Sequence, residues 1–375
     1  MVRLWAAITR RETKMPPSDI ACIDLFCGAG GLTHGLIKAG IPVVAGVDID
    51  EACRYPFETN NKSHFIAEDI KNVKPVQLKW LYGDAGIRIL AGCAPCQPFS
   101  SYSQRYDMLT SQQWPLLYQF ARLIKAVLPD IVIMENVPLV KKHVVFNDFV
   151  ANLRRLGYNV WQNVVDCTKY GLPQTRKRMV ILASAIGPIE LIAPTHEKPR
   201  TVKDAIGKLP AIEAGSVHKN DAFHMAAKLS DLNLERIRAS RPGGTWRDWP
   251  KRLVLECHRK ETGRTYSGVY GRMAWDDPSP TITTQFYGFG NGRFGHPEQD
   301  RGISLREGAI LQGFPKDYAF VPEGSPTHFN VLGRMIGNAV PVVLGNVIGK
   351  SIFAHLNMFG NRKRGNREGV ADASV

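Results

Sequence analysis

Short, mostly apolar runs recur along the first half of the chain, and each ends at a turn or a polar residue. Such runs predict buried strands. They occupy Ile20–Phe26, Ile41–Val47, Asn61–Ile66, Ile87–Gly92, Ile131–Met134, Val160–Val165 and Met179–Ala183. Between them lie helical stretches, above all Gly31–Lys38 and Trp114–Val127, the second with apolar side chains at helical spacing. Alternating strands and helices predict an α/β fold with a doubly wound, mostly parallel sheet.

The pattern changes after about Ile192. Residues 193–327 are rich in Gly, Pro, Arg and Trp and contain few long periodic segments, which predicts a smaller, irregular domain. A helical run returns at Val342–Ile352, and we expect it to pack back on the large domain. We therefore predict a large domain of residues 18–192, completed by residues 328–357. Residues 358–375 are expected to form a disordered basic tail.

Charge and cysteine content narrow the class of protein. The 375 residues carry a formal net charge of +14 and seven cysteines at irregular spacing. An odd number of cysteines in a long chain favours reduced thiols and a cytoplasmic location. Between Arg236 and Arg272, ten Lys and Arg residues oppose three acidic ones, and Trp246 and Trp249 lie among them. This combination favours nucleic acid as the partner through phosphate contacts and stacking, with a solvated basic face as the alternative.

A glycine-rich turn, Asp24-Leu25-Phe26-Cys27-Gly28-Ala29-Gly30-Gly31, joins the first predicted strand to the following helix. Its glycines allow close approach of a ligand, and the helix N-terminus offers free N–H groups. The turn lacks the third glycine of a dinucleotide fingerprint and the ending of a phosphate loop. Asp48 and Asp69 follow the next two strands and could accept from a ribose and an adenine amine. A nucleoside ligand without pyrophosphate, such as S-adenosylmethionine, fits best; a turn that only allows packing is the alternative.

Cys96 lies in Ala94-Pro95-Cys96-Gln97-Pro98-Phe99-Ser100, at the end of the fourth strand. It could be a nucleophile, half of a dithiol with Cys93, a zinc ligand or a buried inert thiol. No second close Cys/His pair supports zinc, so no metal is expected. Glu135 ends the fifth strand and would face the same crevice. A thiolate, a carboxyl group and a methyl donor together suggest methylation at carbon 5 of a pyrimidine, because thiolate addition to carbon 6 makes carbon 5 nucleophilic.

Six motifs, taken in order, resemble those of the DNA (cytosine-5) methyltransferases, and the resemblance runs from about Ile20 to Phe353. The motifs are Asp24–Gly31, Pro95–Ser100, Glu135–Val137, Gln174–Arg178, Arg272–Thr283 and Gly337–Pro341. Two positions depart from a common pattern. Ile49 stands where many relatives have an aromatic residue beside the ribose acid, and Cys93 stands where a small glycine is common.

The resemblance implies roles for individual residues. Cys96 would be the nucleophile, Glu135 would hold the cytosine, Arg178 would contact the base, and Arg176 would contact phosphate. S-adenosylmethionine would be bound by Asp24, Phe26, Gly28, Gly30, Asp48, Ile49, Asp69, Pro95, Asn338 and Val340. DNA would be contacted by Gln97, Ser100, Arg105, Arg241, Arg247 and Arg272.

The resemblance also implies a partner and a setting. The substrate would be double-stranded DNA, with the target cytosine flipped out of the helix. The protein would be a monomeric bacterial modification enzyme, functionally linked to a cognate restriction endonuclease. Two alternatives stay open. One is the tRNA-methylating branch, whose Cys-Phe-Thr segment is absent here, and the other is a catalytically inactive DNA-binding relative.

Overall fold

A seven-stranded sheet forms the centre of the protein, whose computed structural model describes residues 19–95, 114–261, 263, 265–266 and 268–371. The strands are β1 (Ile20–Leu25), β2 (Val43–Asp48), β3 (His64–Ala67), β4 (Ile87–Gly92), β5 (Ile131–Asn136), β6 (Asn159–Asp166) and β7 (Lys177–Ser184). Their order is β3-β2-β1-β4-β5-β7-β6. β1 to β5 run parallel, and β7 is antiparallel to both β5 and β6. The predicted mostly parallel, doubly wound sheet is confirmed.

The strand order reverses between β1 and β4, because β2 and β3 lie on one side of β1 and β4 and β5 on the other. In open α/β sheets, ligands bind outside the carboxyl ends of the strands at such a reversal. Leu25 at the end of β1 is paired with Gly92 at the end of β4. The glycine-rich turn and the segment leading toward Cys96 therefore leave the sheet side by side.

Helices cover both faces of the sheet. α1 (Gly31–Lys38) is followed by α2 (Arg54–Asn61), α3 (Pro75–Tyr82), α4 (Trp114–Val127) and α5 (Val144–Arg155). Leu78, Phe120 and Phe149 bury one face of the sheet beneath α3, α4 and α5. α4 has the bounds that its apolar spacing predicts. The expected third strand starts later than predicted, at His64, because Asn61 is the last residue of α2.

Residues 193–327 form few regular elements. These are α6 (Val202–Ile206), β8 (Val217–His218), β9 (Asp221–Met225), α7 (Asp231–Ala239), α8 (Glu256–Arg259) and α9 (Leu305–Leu311). Trp246 and Trp249 are only 6% and 5% exposed and pack with Leu253 and Phe289 in a small core. The prediction that they stack on nucleic acid is therefore wrong in this structure, because their rings are already covered by protein.

The chain returns to the sheet through α10 (Phe329–Asn338) and α11 (Val342–Ala371). Leu344 and Ile348 of α11 pack with Leu36 of α1 on the second face of the sheet. The helical stretch Phe329–Phe359 is long and apolar enough to cross a membrane, but 67% of its most apolar window is buried within the protein, as in a core helix. Residues 358–371 are helical, so the expected disordered tail is wrong there; extending a helix already formed needs no new nucleation.

Candidate active site

A cavity of about 490 Å³ opens at the reversal of the strand order. It is enclosed by the carboxyl ends of β1, β2, β4 and β5 and by residues 337–340, which connect α10 to α11. Nine of the ten predicted cofactor residues line it: Asp24, Phe26, Gly28, Asp48, Ile49, Asp69, Pro95, Asn338 and Val340. Glu135, Arg176 and Arg178 line the same cavity. The structure thus brings together residues that are up to about 300 positions apart in the sequence.

Gly30 shapes the cavity without lining it. Its φ of +88° lies in the left-handed region, which favours glycine. A Cβ atom there would lie 2.5 Å from Nδ2 of Asn61, so a side chain has neither the backbone conformation nor the space. Next to it, a Cβ on Gly31 would lie 2.3 Å from the carbonyl oxygen of Val340. Gly31 therefore allows the 337–340 segment to lie against the start of α1, and Gly30 allows Asn61 of α2 to lie against the turn.

Two carboxyl groups lie at the floor of the cavity, Asp24 buried and Asp48 half-buried. Asp24 is 1% exposed, and its Oδ2 accepts a hydrogen bond from Oγ1 of Thr33 at 2.7 Å. Its Oδ1 has no partner among the described residues. Burial raises the pKa of Asp24 to about 7. Asp48 accepts hydrogen bonds from the N–H groups of Gly28 and Asp50, both at 2.9 Å, and burial raises its pKa as well.

The outer wall of this cavity is more exposed. Ile49 is 71% exposed. Asp69 accepts a hydrogen bond from the N–H group of Lys71 at 2.9 Å. The guanidinium of Arg334, on α10, reaches across to Oδ2 of Asp50 at 2.8 Å. The floor of the cavity is therefore closed and lined by carboxyl groups, whereas the rim is open to solvent.

Glu135 lies at the other end of the cavity and is 2% exposed. Nε of Arg178 lies 2.9 Å from its Oε1, and the Cys93 thiol donates to its Oε2 at 2.8 Å. The Arg178 contact has ion-pair distance without hydrogen-bond alignment, so Oε1 has no hydrogen-bond partner among the described residues. Glu135 is opposite Val180 on β7, and Arg178 is two residues along the same strand, which brings the two side chains to one face. Glu135 is therefore fixed in place while one of its oxygens stays available.

The predicted nucleophile, Cys96, lies outside the described residues, as do Gln97, Ser100 and Arg105. The described chain reaches Pro95, which lines the cavity. Nδ2 of Asn136, the residue after Glu135, donates to the carbonyl oxygen of Ala94 at 3.1 Å. This hydrogen bond holds the end of β5 against the segment that leads to Cys96. Sequence reasoning included Asn136 in a motif but assigned it no role.

Arg176 was expected to contact phosphate, and the structure gives it a different environment. Its side chain is only 2% exposed. Its guanidinium donates to Oε1 of Gln174 and to the carbonyl oxygens of Ile282, Gly337 and Ala339, at 3.2–3.4 Å. The phosphate prediction is therefore wrong in this structure, because the guanidinium is used to join three segments of the protein.

Gln174 and Gln312 form the centre of this junction, and sequence reasoning missed Gln312. Nε2 of Gln174 donates to Oε1 of Gln312 at 2.8 Å and to the carbonyl oxygen of Leu311 at 3.0 Å. Oε1 of Gln174 accepts from the N–H group of Ile282 at 3.0 Å. Nε2 of Gln312 donates to the carbonyl oxygen of Ala339. The junction holds the strand that carries Arg178 against the segment that carries Asn338.

Arg272 was expected to contact DNA, but its side chain is 5% exposed. It donates to the carbonyl oxygens of Ile237, Ser240, His296 and Gln299 and pairs with Asp300. The prediction is therefore wrong, because Arg272 holds loops of residues 193–327 together.

Arg241 and Arg247 differ from Arg272 because both are exposed. The side chain of Arg241 is 75% exposed and pairs with Asp248 at 3.0 Å. The guanidinium of Arg247 lies 5.6 Å from the ring centroid of Trp246. Their contact with DNA stays a prediction. Among the residues the structure describes, no group of three or more His, Cys, Asp and Glu is placed to hold a metal ion.

The sheet order, the glycine-rich turn and the carboxylates at the strand ends define the fold of the class I S-adenosylmethionine-dependent methyltransferases. The family model for C-5 cytosine-specific DNA methylases matches residues 20–354. The chain belongs to this family and is a DNA (cytosine-5) methyltransferase. The family's methyl donor is S-adenosylmethionine.

Curated relatives match nearly the whole chain. The Type II methylase M.HgiDII of Herpetosiphon aurantiacus is 52% identical over 349 residues, which is 92% of this chain and 98% of that protein. The Type II methyltransferase M.PspPI of Psychrobacter is 31% identical over 91% of this chain and 81% of its own length.

Solved structures support the fold. A putative DNA modification methyltransferase encoded within an Escherichia coli prophage superimposes with a TM-score of 0.68 at 23% identity, covering 90% of this chain and 99% of that one. The Dnmt2 methyltransferase of S. pombe gives a TM-score of 0.56 at 18% identity, over 90% of this chain and 98% of its own. At these identities the likeness concerns the fold alone.

Proposed function

We propose that this enzyme is the modification methyltransferase of a restriction-modification system, and that it methylates one short, defined sequence in double-stranded DNA. The 52% identity to a protein named as a Type II methylase supports this setting. The proposal includes a monomeric enzyme in the cytoplasm whose link to the endonuclease is functional. The observation that carries the chemistry is the Glu135 carboxylate, fixed by Arg178 and Cys93 in the cavity that contains Asp24 and Asp48.

The floor of the cavity suits S-adenosylmethionine. Oδ1 of Asp24 is buried without a described partner, so an ammonium group of the ligand would satisfy it. Asp48 would accept from the ribose hydroxyls, and Asp69 from the adenine amine. Phe26 and Ile49 would cover the adenine, and Asn338 and Val340 would line the methionine side. When bound, S-adenosylmethionine supplies the sulfonium methyl group that carbon 5 of the cytosine accepts.

The residues around Glu135 suit a flipped cytosine. Cys96, as a thiolate, would add to carbon 6 and form a carbon–sulfur bond, which makes carbon 5 nucleophilic. Glu135, in its protonated form, would donate to N3 and accept from the exocyclic amine, and Arg178 would contact O2 while holding Glu135. Methyl transfer would leave S-adenosylhomocysteine as the second product, and transfer of the carbon-5 proton to water would then eliminate the Cys96 thiolate and restore the aromatic ring.

The direct test is transfer of a labelled methyl group to duplex DNA by the wild type and by two cysteine variants. Cys96→Ser should abolish transfer, whereas the matched control Cys257→Ser, at an exposed cysteine, should keep it. A duplex with 5-fluorocytosine at the target should trap a covalent adduct, because fluorine at carbon 5 cannot leave as a proton. Turnover by Cys96→Ser, or no adduct with the methylated sequence, would contradict the proposal.

A further inference from the structure

A second cavity, of about 630 Å³, lies against the segment that carries Arg176. One side of it is formed by Thr175 and Thr281, which are joined by a hydrogen bond from Oγ1 of Thr281 to the carbonyl oxygen of Thr175. Tyr266, Asn291 and Arg293 also line it. Thr175 precedes Arg176, which lines the cavity of the active site. The two cavities therefore flank one short stretch of chain, and a duplex that delivers a base to one would pass close to the other.

Arg293 is the unusual residue of this second cavity. Its side chain is half-buried, and its Nε is buried without a hydrogen-bond partner. It forms no hydrogen bond or ion pair with any other described residue. The more deeply buried arginines of residues 193–327 are instead paired with carboxylates: Arg272 with Asp300, Arg301 with Glu307, and Arg306 with Asp221. A buried Nε–H without an acceptor is costly, so the environment of Arg293 suits an acceptor supplied by a ligand.

The backbone holds Arg293 in this position. A Cβ on Gly271 would lie 2.8 Å from Cγ of Arg293, so the glycine leaves room for the side chain. The neighbouring Gly295 donates its N–H to the carbonyl oxygen of Gly271 at 2.9 Å. Asp277 is the one carboxylate among the lining residues, and it is exposed. The backbone therefore fixes the base of the Arg293 side chain at the wall of the cavity.

We propose that this cavity reads the DNA sequence and that Arg293 recognises a guanine of the target site through its O6 and N7 atoms. The inference rests on the proposed function. Arginine matches this edge of guanine in the major groove with two hydrogen bonds. A phosphate would instead be met at the surface, where the exposed Arg241 and Arg247 lie. The recessed position of Arg293 thus favours a base edge over the DNA backbone.

The test is a double-mutant cycle between the protein and the DNA. The wild type, Arg293→Met and the exposed control Arg241→Met are compared on the sequence that the wild type methylates. Each guanine of that sequence is replaced in turn by 7-deazaguanine, which lacks the N7 acceptor. For the wild type, one replacement should lower kcat/KM by roughly 5- to 150-fold. For Arg293→Met, the same replacement should have no further effect, whereas Arg241→Met should retain the full penalty.

Two results would overturn the base-reading role. One is an equal penalty for wild type and Arg293→Met at every guanine. The other is that Arg293→Met binds every DNA sequence more weakly by the same factor, and that the salt dependence of its DNA binding falls by about one phosphate contact. Unchanged binding of S-adenosylmethionine and an unchanged melting temperature would show that Arg293→Met folds. If the wild type methylates no DNA, the proposed function fails together with the reading role. If the wild type methylates DNA but Arg293→Met shows the same 7-deazaguanine penalties as the wild type, only the reading role fails.

Discussion

Gln174→Leu measures how much the buried hydrogen bonds of Gln174, behind the active site, contribute to the free energy of unfolding. Gln174 is fully buried and uncharged, and leucine has a similar size, so the substitution changes hydrogen bonding more than packing. It removes the donors to Leu311 and Gln312 and the acceptor shared by Ile282 and Arg176. Arg176 keeps its carbonyl acceptors, but the structure gives the other three groups no further hydrogen bond among the described residues.

The expected loss follows from these three orphaned groups. A buried polar group left unsatisfied costs about 1–3 kcal/mol. Since water can enter from the neighbouring cavities, the lower end applies, and we expect the free energy of unfolding to fall by about 3 kcal/mol. The matched control is Gln285→Leu, at an exposed glutamine whose side chain makes no hydrogen bond with described residues. Its expected change is within about 0.5 kcal/mol.

Urea unfolding followed by tryptophan fluorescence and by circular dichroism measures both variants, and coincident transitions justify the two-state treatment. The double variant Gln174→Leu/Gln312→Leu sharpens the result. Because it removes both partners of one hydrogen bond, it should be less destabilised than the sum of the single variants. A loss for Gln174→Leu as small as that of the control, or strict additivity in the double variant, would show that these hydrogen bonds do not stabilise the protein.

Three further predictions concern the active site. Glu135→Gln should lower kcat by about 10²-fold or more and leave S-adenosylmethionine binding unchanged, as measured by single-turnover methyl transfer and calorimetry; a change in cofactor affinity alone would contradict the role. Cys93→Ala removes the thiol donor to Oε2 of Glu135 and should lower kcat and shift its pH profile, with partial rescue by Cys93→Ser; a wild-type profile in Cys93→Ala would contradict a positioning role. The folded-state pKa of Asp24, about 7, lies above its ordinary value of 3.8, so the unliganded wild type should lose stability as pH rises from about 4 to 7. Asp24→Asn should therefore melt at a higher temperature than wild type at pH 8 and at the same temperature near pH 3, while binding the cofactor more weakly; a difference independent of pH would contradict this linkage.

Much of the sheet could be predicted from sequence because its strands are buried on both faces and read as apolar runs. The carboxylates were also predictable: Asp24, Asp48 and Glu135 end such runs, and parallel strands bring their ends to one edge. β7 is different. Its apolar run indicated a strand, but its antiparallel direction depends on pairing with β5 and β6 and has no local signal.

The arginines could not be assigned from sequence. Arg176 and Arg272 both lie in motifs, and a motif does not reveal whether a guanidinium meets DNA or carbonyl oxygens of its own chain. The acceptors of Arg176 include Ile282 and Gly337, which are more than 100 residues away. Arg293 lies outside every quoted motif, and only the cavity distinguishes it. The predicted stacking of Trp246 and Trp249 on nucleic acid was wrong for a similar reason. A short aromatic cluster without periodicity does not indicate whether its rings are buried or exposed.

Bisulfite sequencing of DNA from cells that express this enzyme shows whether it methylates cytosine, and in which sequence. We expect protected cytosines at one short, defined sequence with the wild type and none with Cys96→Ser. Full conversion of every cytosine in DNA from wild-type cells, in the presence of folded protein, would contradict it. So would protection that persists with Cys96→Ser.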